Sequence, residues 1–146
     1  MRTKVKDAAL LLMVLTKLRG EAKGRTRLQK IVCLLRYKYK VPFSLEFRPY
    51  FYGPYSDELH ELLETLKAAG LISEKLHVTI DGYVRYDYEL TSEGKKLASK
   101  IHALMDQRLI KQIDEGLEKI SKLPIENLII EAKKVAPGYK GGDYSF

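Results

Sequence analysis

The chain has 146 residues and a formal net charge of +7, and 45% of its residues are hydrophobic and 31% charged. This length and composition predict one globular domain whose core needs neither disulfides nor metal. Cys33 is the single cysteine, which excludes an internal disulfide and a cysteine metal cluster. The scarcity of asparagine and glutamine beside abundant lysine and glutamate favours a thermophile. The apolar run at residues 8–15 is shorter than the about 20 residues that span a bilayer. No signal-peptide cleavage site follows this run, so we expect a cytoplasmic protein without membrane contacts.

The basic residues are concentrated near the N-terminus. Residues 1–40 hold 12 basic and 2 acidic side chains, whereas residues 41–75 are net acidic and residues 76–146 are balanced. The whole positive excess therefore belongs to the first 40 residues, and such a field favours an acidic partner.

The first part of the chain predicts two helices. Apolar residues recur at helical spacing over residues 4–19, and Gly20 is placed to end that helix. A polar loop is expected at residues 21–25. Thr26 and Gln29 then form a capping-box pattern at the start of a second helix, which Pro42 ends.

The middle of the chain predicts a strand, a third helix and a hairpin. Apolar and polar residues alternate over residues 43–52, which indicates a strand that Pro49 confines to an edge or bend. Ser56 is the expected N-cap of the third helix, and Gly70 ends it. Two β-rich runs within residues 75–90 meet at Asp81-Gly82, which predicts a hairpin with a type I′ turn. Val78 and Ile80 are expected to pair with residues of the second run, namely Val84, Tyr86 and Tyr88.

The last part of the chain predicts helices that complete an α+β, mostly helical fold. A long helical pattern begins at Ser92, and Gly116 is the expected break in it. Pro124 separates a last helix at residues 126–135. Three helices followed by a hairpin indicate a winged helix-turn-helix domain at residues 1–97. Residues 98–136 are predicted to form a C-terminal helical extension of the same domain, and residues 137–146 a flexible tail.

Two stretches carry a family resemblance. Residues 27–31 read Arg-Leu-Gln-Lys-Ile, and residues 51–59 read Phe-Tyr-Gly-Pro-Tyr-Ser-Asp-Glu-Leu. In these stretches the chain resembles the YwgA-like proteins of bacteria and archaea, and it is more distantly similar to the Panacea antitoxin domain. The resemblance covers residues 24–97, with a weaker match at 136–139. It implies a winged-helix fold and, for the Panacea branch, an antitoxin role.

The residues of the chain do not form a catalytic pattern. The three histidines, His60, His77 and His102, fall on different predicted elements, and His60 with Glu64 supplies only two metal ligands. Lys30 and Arg36 lie near Cys33 on its helix, but no histidine is placed to activate the thiol. No glycine-rich phosphate loop precedes a helix. We therefore expect no catalytic residue, no metal and no cofactor, and we predict that the chain is not an enzyme.

Charge argues against the usual way in which a winged helix binds DNA. That mode places the third helix in the major groove, but this helix carries exposed acids, among them Asp57, Glu61 and Glu64. Phosphates would repel them. The loop at residues 40–55 is also longer than a helix-turn-helix turn of about three or four residues. The standard docking mode is therefore not expected.

The basic N-terminal region is the predicted nucleic-acid contact. Cationic side chains can neutralise phosphates there while an exposed tyrosine stacks on a base. The predicted nucleic-acid-binding residues are Lys23, Arg25, Arg27, Lys30, Arg36 and Tyr37. A solvated surface balanced by the acidic third helix is the alternative. The aromatic residues between Phe43 and Tyr55 fit either a stacking platform or core packing.

Two functions follow from this reading. The first is a winged-helix nucleic-acid-binding or regulatory protein that uses the basic N-terminal region. The alternative is an antitoxin-like protein-interaction module that keeps the fold without binding DNA. A homodimer through the helix after Ser92 is also predicted, with Leu109, Ile113 and Leu117 at the contact. In the alternative arrangement, the last helix folds back and buries that apolar stripe within one chain.

Overall fold

A computed structural model describes residues 3–139 and shows an α+β fold that is mostly helical, as predicted. The described elements in chain order are α1 Thr3–Lys17, β1 Glu21–Lys23, α2 Arg25–Tyr37, α3 Asp57–Ala68, β2 Ile72–Val78, β3 Val84–Leu90, α4 Ser92–Leu104, α5 Gln107–Ile120 and α6 Ile125–Val135. Among these helices, none is long and apolar enough to cross a membrane. The predicted flexible tail at 137–146 lies outside the described residues from residue 140 onward.

The sheet has three antiparallel strands in the order β1-β3-β2. The prediction of a loop at residues 21–25 was wrong, because residues 21–23 pair with the outer edge of β3. Ala22 lies opposite Tyr88, and both residues are buried. A strand of three residues is too short to show a hydrophobic period, so its pairing depends on β3 and not on its own sequence pattern.

The predicted hairpin is present, but its turn differs from the prediction. Val78 pairs with Val84 as expected, whereas Ile80 lies outside the ladder. The amide of Gly82 donates to Thr79 O at 2.9 Å, so Ile80 and Asp81 are the central residues of the β-turn. Gly82 follows with φ of 85°, and Asp81 has no positive φ. The type I′ assignment was therefore wrong, and the loop is one residue longer than that turn requires.

The predicted capping box and the predicted strand at residues 43–52 were also wrong. Gly24 is the N-cap of α2, and among residues 3–139 no side chain caps this helix. Phe43, Leu45 and Phe47 are buried in alternation with more exposed neighbours, as a strand would be. Within the described residues, however, this segment forms only one isolated bridge, between Arg48 and Tyr55. The alternation therefore reflects extended chain that packs on the core without joining the sheet.

The long C-terminal helical pattern is broken at a different residue from the predicted Gly116. Met105 is extended, and Asp106 starts α5 by accepting a hydrogen bond from the Arg108 amide at 2.8 Å. Gly116 lies inside α5, where a Cβ atom would approach Leu35 Cδ2 to 2.7 Å. The glycine therefore permits close packing of α5 on α2 and does not interrupt the helix. The predicted separation of the last helix by Pro124 is confirmed.

The apolar stripe of α5 belongs to the core of one chain. Ile113 and Leu117 are buried, and α5 packs against α1 and α2, while α6 packs against α2. These two residues are therefore not available for the dimer contact that was predicted for them. The predicted alternative is correct in that the stripe is buried within the chain, although α1 and α2 cover it. The dimer itself stays a prediction.

Candidate functional site

The two stretches that carry the family resemblance contact each other in the structure. Gln29 Oε1 accepts a hydrogen bond from the Ser56 amide at 2.8 Å, and Gln29 Nε2 donates to Ser56 O at 3.0 Å. Ser56 Oγ in turn accepts from the Leu59 amide at 3.0 Å, which confirms the predicted N-cap of α3. Gln29 therefore binds the entry of α3 and does not cap its own helix. The resemblance rests in part on residues that join α2 to α3.

Lys30 was predicted to lie on the nucleic-acid-binding surface, but it is only 2% exposed. Its ammonium group donates to Pro54 O at 2.9 Å, and within residues 3–139 it forms no ion pair with a carboxylate. Burial lowers the pKa of Lys30 to about 8, opposed by the Cys33 thiol and reinforced by the charge of Lys133. Lys30 is thus a buried cation. Helical periodicity predicted it to be exposed, because the pattern of α2 contains no information about the 53–55 segment that covers this side chain.

Arg36 and Tyr37, also predicted contacts, hold the 41–47 segment at the other end of α2. The Arg36 guanidinium donates to Leu45 O and lies 4.7 Å from the centre of the Tyr37 ring. The Tyr37 ring makes an edge contact with Phe47, with centroids 5.9 Å apart. Arg25 and Arg36 are separated by about 16 Å along the helix axis at about 1.5 Å per residue. The predicted residues therefore do not form one continuous surface.

The other four predicted cations meet at the N-terminus of α2. They line a pocket of about 710 Å³, which we call the basic pocket. Arg85 of β3 adds a fifth cation, which was not predicted because it comes near the α2 N-terminus through the pairing of β1 with β3. The cationic side chains of the basic pocket are Lys23, Arg25, Arg27, Lys30 and Arg85.

Three of these cations have carboxylate partners. Arg25 donates to Glu74 at 3.3 Å and to the Tyr88 hydroxyl at 2.8 Å. Arg85 pairs with Asp87 at 2.8 Å, and Lys23 lies 3.8 Å from Glu21. Burial raises the pKa of Tyr88 to about 12, so its phenol stays neutral and accepts from Arg25 at neutral pH.

The remaining two cations, Arg27 and Lys30, have only carbonyl oxygens as hydrogen-bond acceptors among the described residues. Arg27 donates to Ser121 O at 3.2 Å and to Leu123 O, which ties α2 to the turn before α6. Burial lowers the pKa of Arg27, but an arginine stays charged at neutral pH. The basic pocket therefore carries about two positive charges that no carboxylate of residues 3–139 offsets.

The N-terminus of α2 opens into the same pocket without a side-chain cap. Gly24, its N-cap, has φ of 107°, which residues other than glycine rarely adopt. Within residues 3–139, the amides of Arg25, Thr26 and Arg27 have no hydrogen-bond acceptor. These amides and the positive end of the helix dipole favour an anion at this position.

Tyrosines form the rim of the basic pocket. Tyr50 and Tyr55 lie against each other with ring centroids 4.9 Å apart, and Tyr86 is covered by the Arg25 guanidinium at 4.1 Å. Tyr52 also lines the pocket and is 63% exposed. Phe43 and Phe47 are instead part of the core. The aromatic cluster is thus divided between packing and an exposed rim.

The three histidines, His60, His77 and His102, lie on α3, β2 and α4 respectively. The described part of the chain has no group of three or more His, Cys, Asp or Glu side chains that could hold a metal ion. Cys33 is buried, and burial raises the pKa of its thiol to about 12, so the thiolate is not formed near neutral pH.

On α3, Asp57 pairs with Arg48 at 2.8 Å, and Glu61 is exposed. The acidic surface of α3 is therefore present as predicted.

One curated relative supports the resemblance to YwgA-like proteins. The chain is 37% identical over 87 residues to the uncharacterised protein YwgA of Bacillus subtilis (strain 168), which is 60% of this chain and 50% of the relative. The chain thus spans about half the length of the curated relative that it matches. No family model matches the chain.

Proposed function

We propose that the chain binds single-stranded nucleic acid through the basic pocket. The observation that supports this proposal is the meeting of five cationic side chains and four tyrosines in one concavity. Cations neutralise phosphates, and exposed aromatic rings stack on bases without sequence preference. The exposed ring of Tyr52 at the rim is the stacking surface in this proposal.

We also propose that the fold is a winged helix. The described order of three helices, with β1 between the first two and the β2-β3 hairpin after the third, supports it. In such a fold α3 would be the usual recognition helix. Its acids Asp57, Glu61 and Glu64 disfavour that mode here, so the proposed nucleic-acid contact lies at α2 instead.

Salt dependence and a matched pair of variants test the proposed function. Fluorescence anisotropy with mixed-sequence strands of about 12 nucleotides, within the usual range of site sizes, should show binding at low salt that weakens as salt rises. Lys23→Glu with Arg85→Gln should weaken binding. The slope of log affinity against log salt should become smaller by about 1.4, because each of the two lost phosphate contacts contributes about 0.7 on a single strand. The same changes at Lys100 and Arg108, exposed residues outside the pocket, are the control and should leave the slope unchanged.

Arg27 and Lys30 are not used in this test because their backbone hydrogen bonds support the fold. A loss of binding in those variants would not separate contact from folding. If the Lys23/Arg85 variant bound as the parent does, or if only duplexes bound, the proposed function would be wrong.

A protein-interaction module is the second candidate, and an apolar groove favours it. The groove, about 530 Å³, lies among α1, α4 and α5. Leu104 at its edge is 88% exposed, and Val5 and Leu97 are also exposed. Large exposed apolar surface of this kind marks interaction sites. The resemblance to the Panacea antitoxin domain is consistent with such a role.

Nuclease-treated pull-downs separate the two candidates. A protein partner of the groove should be captured by the parent and by the Lys23/Arg85 variant but not by Leu97→Glu with Leu104→Glu. A second copy of this chain is one such partner, and sedimentation at tens of micromolar reports it. Capture by all variants alike, together with a monomer in sedimentation, would count against the interaction module.

A further inference from the structure

The unpaired charge of the basic pocket matches a particular kind of anion. Arg27 and Lys30 supply about two positive charges without carboxylate partners in the described residues. The charge of Lys30 lies on a side chain that is almost wholly buried, and a buried charge without a carboxylate partner is costly. A phosphomonoester carries about −1.5 to −2 charges at pH 7, whereas a phosphodiester within a strand carries about −1. The monoester is therefore the better electrostatic match.

The uncapped α2 N-terminus supplies donors for the oxygens of such a group. The amides of Arg25, Thr26 and Arg27 lack acceptors within residues 3–139, and all three residues line the pocket. A terminal phosphate offers three non-bridging oxygens, against two in an internal phosphodiester, so it can accept from several amides together. Lys23 and Arg85 also line the pocket and add cationic donors, which Glu21 and Asp87 partly offset.

The pocket also has room and an aromatic surface for the rest of a nucleotide. Its volume of about 710 Å³ falls among small-molecule sites, which span about 300–1,000 Å³. Tyr52 lines the pocket with much of its side chain exposed. A base that stacks on this ring can keep its phosphate in the same concavity.

We propose that the basic pocket binds the phosphorylated terminal nucleotide of a single strand, with the phosphate at the α2 N-terminus and the base on Tyr52. This inference rests on the proposed function and specifies its ligand. It assigns the phosphate to a terminal phosphomonoester, at either the 5′ or the 3′ end. The comparison of ends is part of the test.

Thr26 offers a variant that blocks an anion without disturbing the fold. It lies in the first turn of α2, lines the pocket and forms no side-chain hydrogen bond among the described residues. Thr26→Glu places a carboxylate where the helix dipole favours it, so the melting temperature should not fall. The same carboxylate occupies the phosphate position and repels a bound anion. Thr26→Gln has nearly the same size without the charge and is the matched control.

Competition between strands that differ only in their ends tests the inference. Unlabelled strands of one sequence carry a 5′-phosphate, a 3′-phosphate or two hydroxyl ends, and each competes with a labelled strand in anisotropy. One phosphorylated strand should compete about tenfold better than the hydroxyl strand, from the charge-assisted hydrogen bonds that it adds. Thr26→Glu should remove this difference, and Thr26→Gln should retain it. Calorimetry should detect binding of AMP but not of adenosine. Tyr52→Ala should weaken the binding of AMP. Tyr83→Ala is the control and should leave it unchanged, because Tyr83 is exposed and lies outside the pocket.

The outcomes distinguish this inference from the proposed function. If all three strands compete equally and AMP does not bind, the terminal-phosphate site is wrong while single-strand binding stands. If AMP binds but no strand does, the pocket is a mononucleotide site and the proposed function is wrong. If neither AMP nor any strand binds, both are wrong. Equal preference for the phosphate in Thr26→Glu and in the parent would also overturn the placement at α2.

Discussion

Replacement of Gln29 by methionine should destabilise the chain although the two side chains have similar length. Gln29 and Ser56 are both fully buried, so water cannot replace the hydrogen bonds between them. Methionine fills a similar volume with an unbranched apolar chain, which keeps the packing cost small. The substitution therefore isolates the hydrogen bonds that join α2 to the start of α3.

The expected loss follows from the state of each Ser56 backbone group. The Ser56 amide loses its acceptor, Gln29 Oε1 at 2.8 Å, and an unsatisfied buried donor costs about 1–3 kcal/mol. Ser56 O loses Gln29 Nε2 but keeps the His60 amide at 3.2 Å, so this second loss is only about 0.5–1.5 kcal/mol. Together the free energy of unfolding should fall by about 2–4 kcal/mol. The melting temperature should fall by about 5–15 °C for a domain of this size.

Urea and thermal unfolding followed by circular dichroism measure this effect. Gln107→Met is the control, because Gln107 is exposed in the first turn of α5 and its substitution should change stability by no more than about 0.5 kcal/mol. The urea m-value should match the parent in both variants, since neither changes the surface exposed on unfolding. If Gln29→Met melted together with the control, the hydrogen bonds to Ser56 would not be what joins the two stretches.

Three further outcomes follow from other buried or constrained groups. Burial lowers the pKa of Lys30 from 10.5 to about 8, so above pH 8 the unfolded chain holds this proton while the folded chain has lost it. The free energy of unfolding should therefore rise with pH from about 8. The rise should stop near pH 9, because the Cys33 thiol then loses its proton in the unfolded chain but keeps it in the folded chain, where burial raises its pKa to about 12. Urea unfolding of Lys30→Met should show no such rise between pH 8 and pH 9. Gly94→Ala should lose about 1–3 kcal/mol in urea unfolding, because the new methyl group overlaps the backbone carbonyl of Leu71. Gly82→Val should lower thermal stability by about 1–3 kcal/mol through backbone strain, since φ there is 85°; an unchanged melting temperature would contradict the turn geometry.

Two helix boundaries that local sequence determines were predicted correctly. Ser56 caps α3 through its own hydroxyl, and Pro124 precedes α6, because both effects act within one turn of the chain. The capping box at Thr26 failed for the opposite reason. The pattern assigns Gln29 Oε1 to its own helix, but this oxygen accepts from the Ser56 amide, 27 residues away. The hydrogen-bond partner of Gln29 lies far away in sequence, so a pattern of neighbouring residues could not identify it.

The candidate site was predicted in part, and the errors have a common cause. The sequence located the cations Lys23, Arg25 and Arg27 because charge is visible in composition. It could not show that Arg36 is held by the 41–47 segment, or that β1 pairs with β3 and brings Arg85 into the pocket. Which cations remain available depends on tertiary hydrogen bonds, and periodicity does not encode them.

The structural role of the two related stretches and the proposed binding role are linked through Lys30. Its Nζ bonds to Pro54 O, and Gly53, with φ of 92°, lets the chain pass so close that a Cβ atom there would lie 3.4 Å from Lys30 Cε. A neutral side chain of similar length would fill this space without the cost of a buried charge, but an apolar one would leave Pro54 O without the Nζ donor. Packing therefore explains the length of the side chain, and the hydrogen bond to Pro54 O explains a donor at its end. In the proposed site the same charge would also attract an anion in the adjacent pocket, because a buried charge acts strongly at low dielectric.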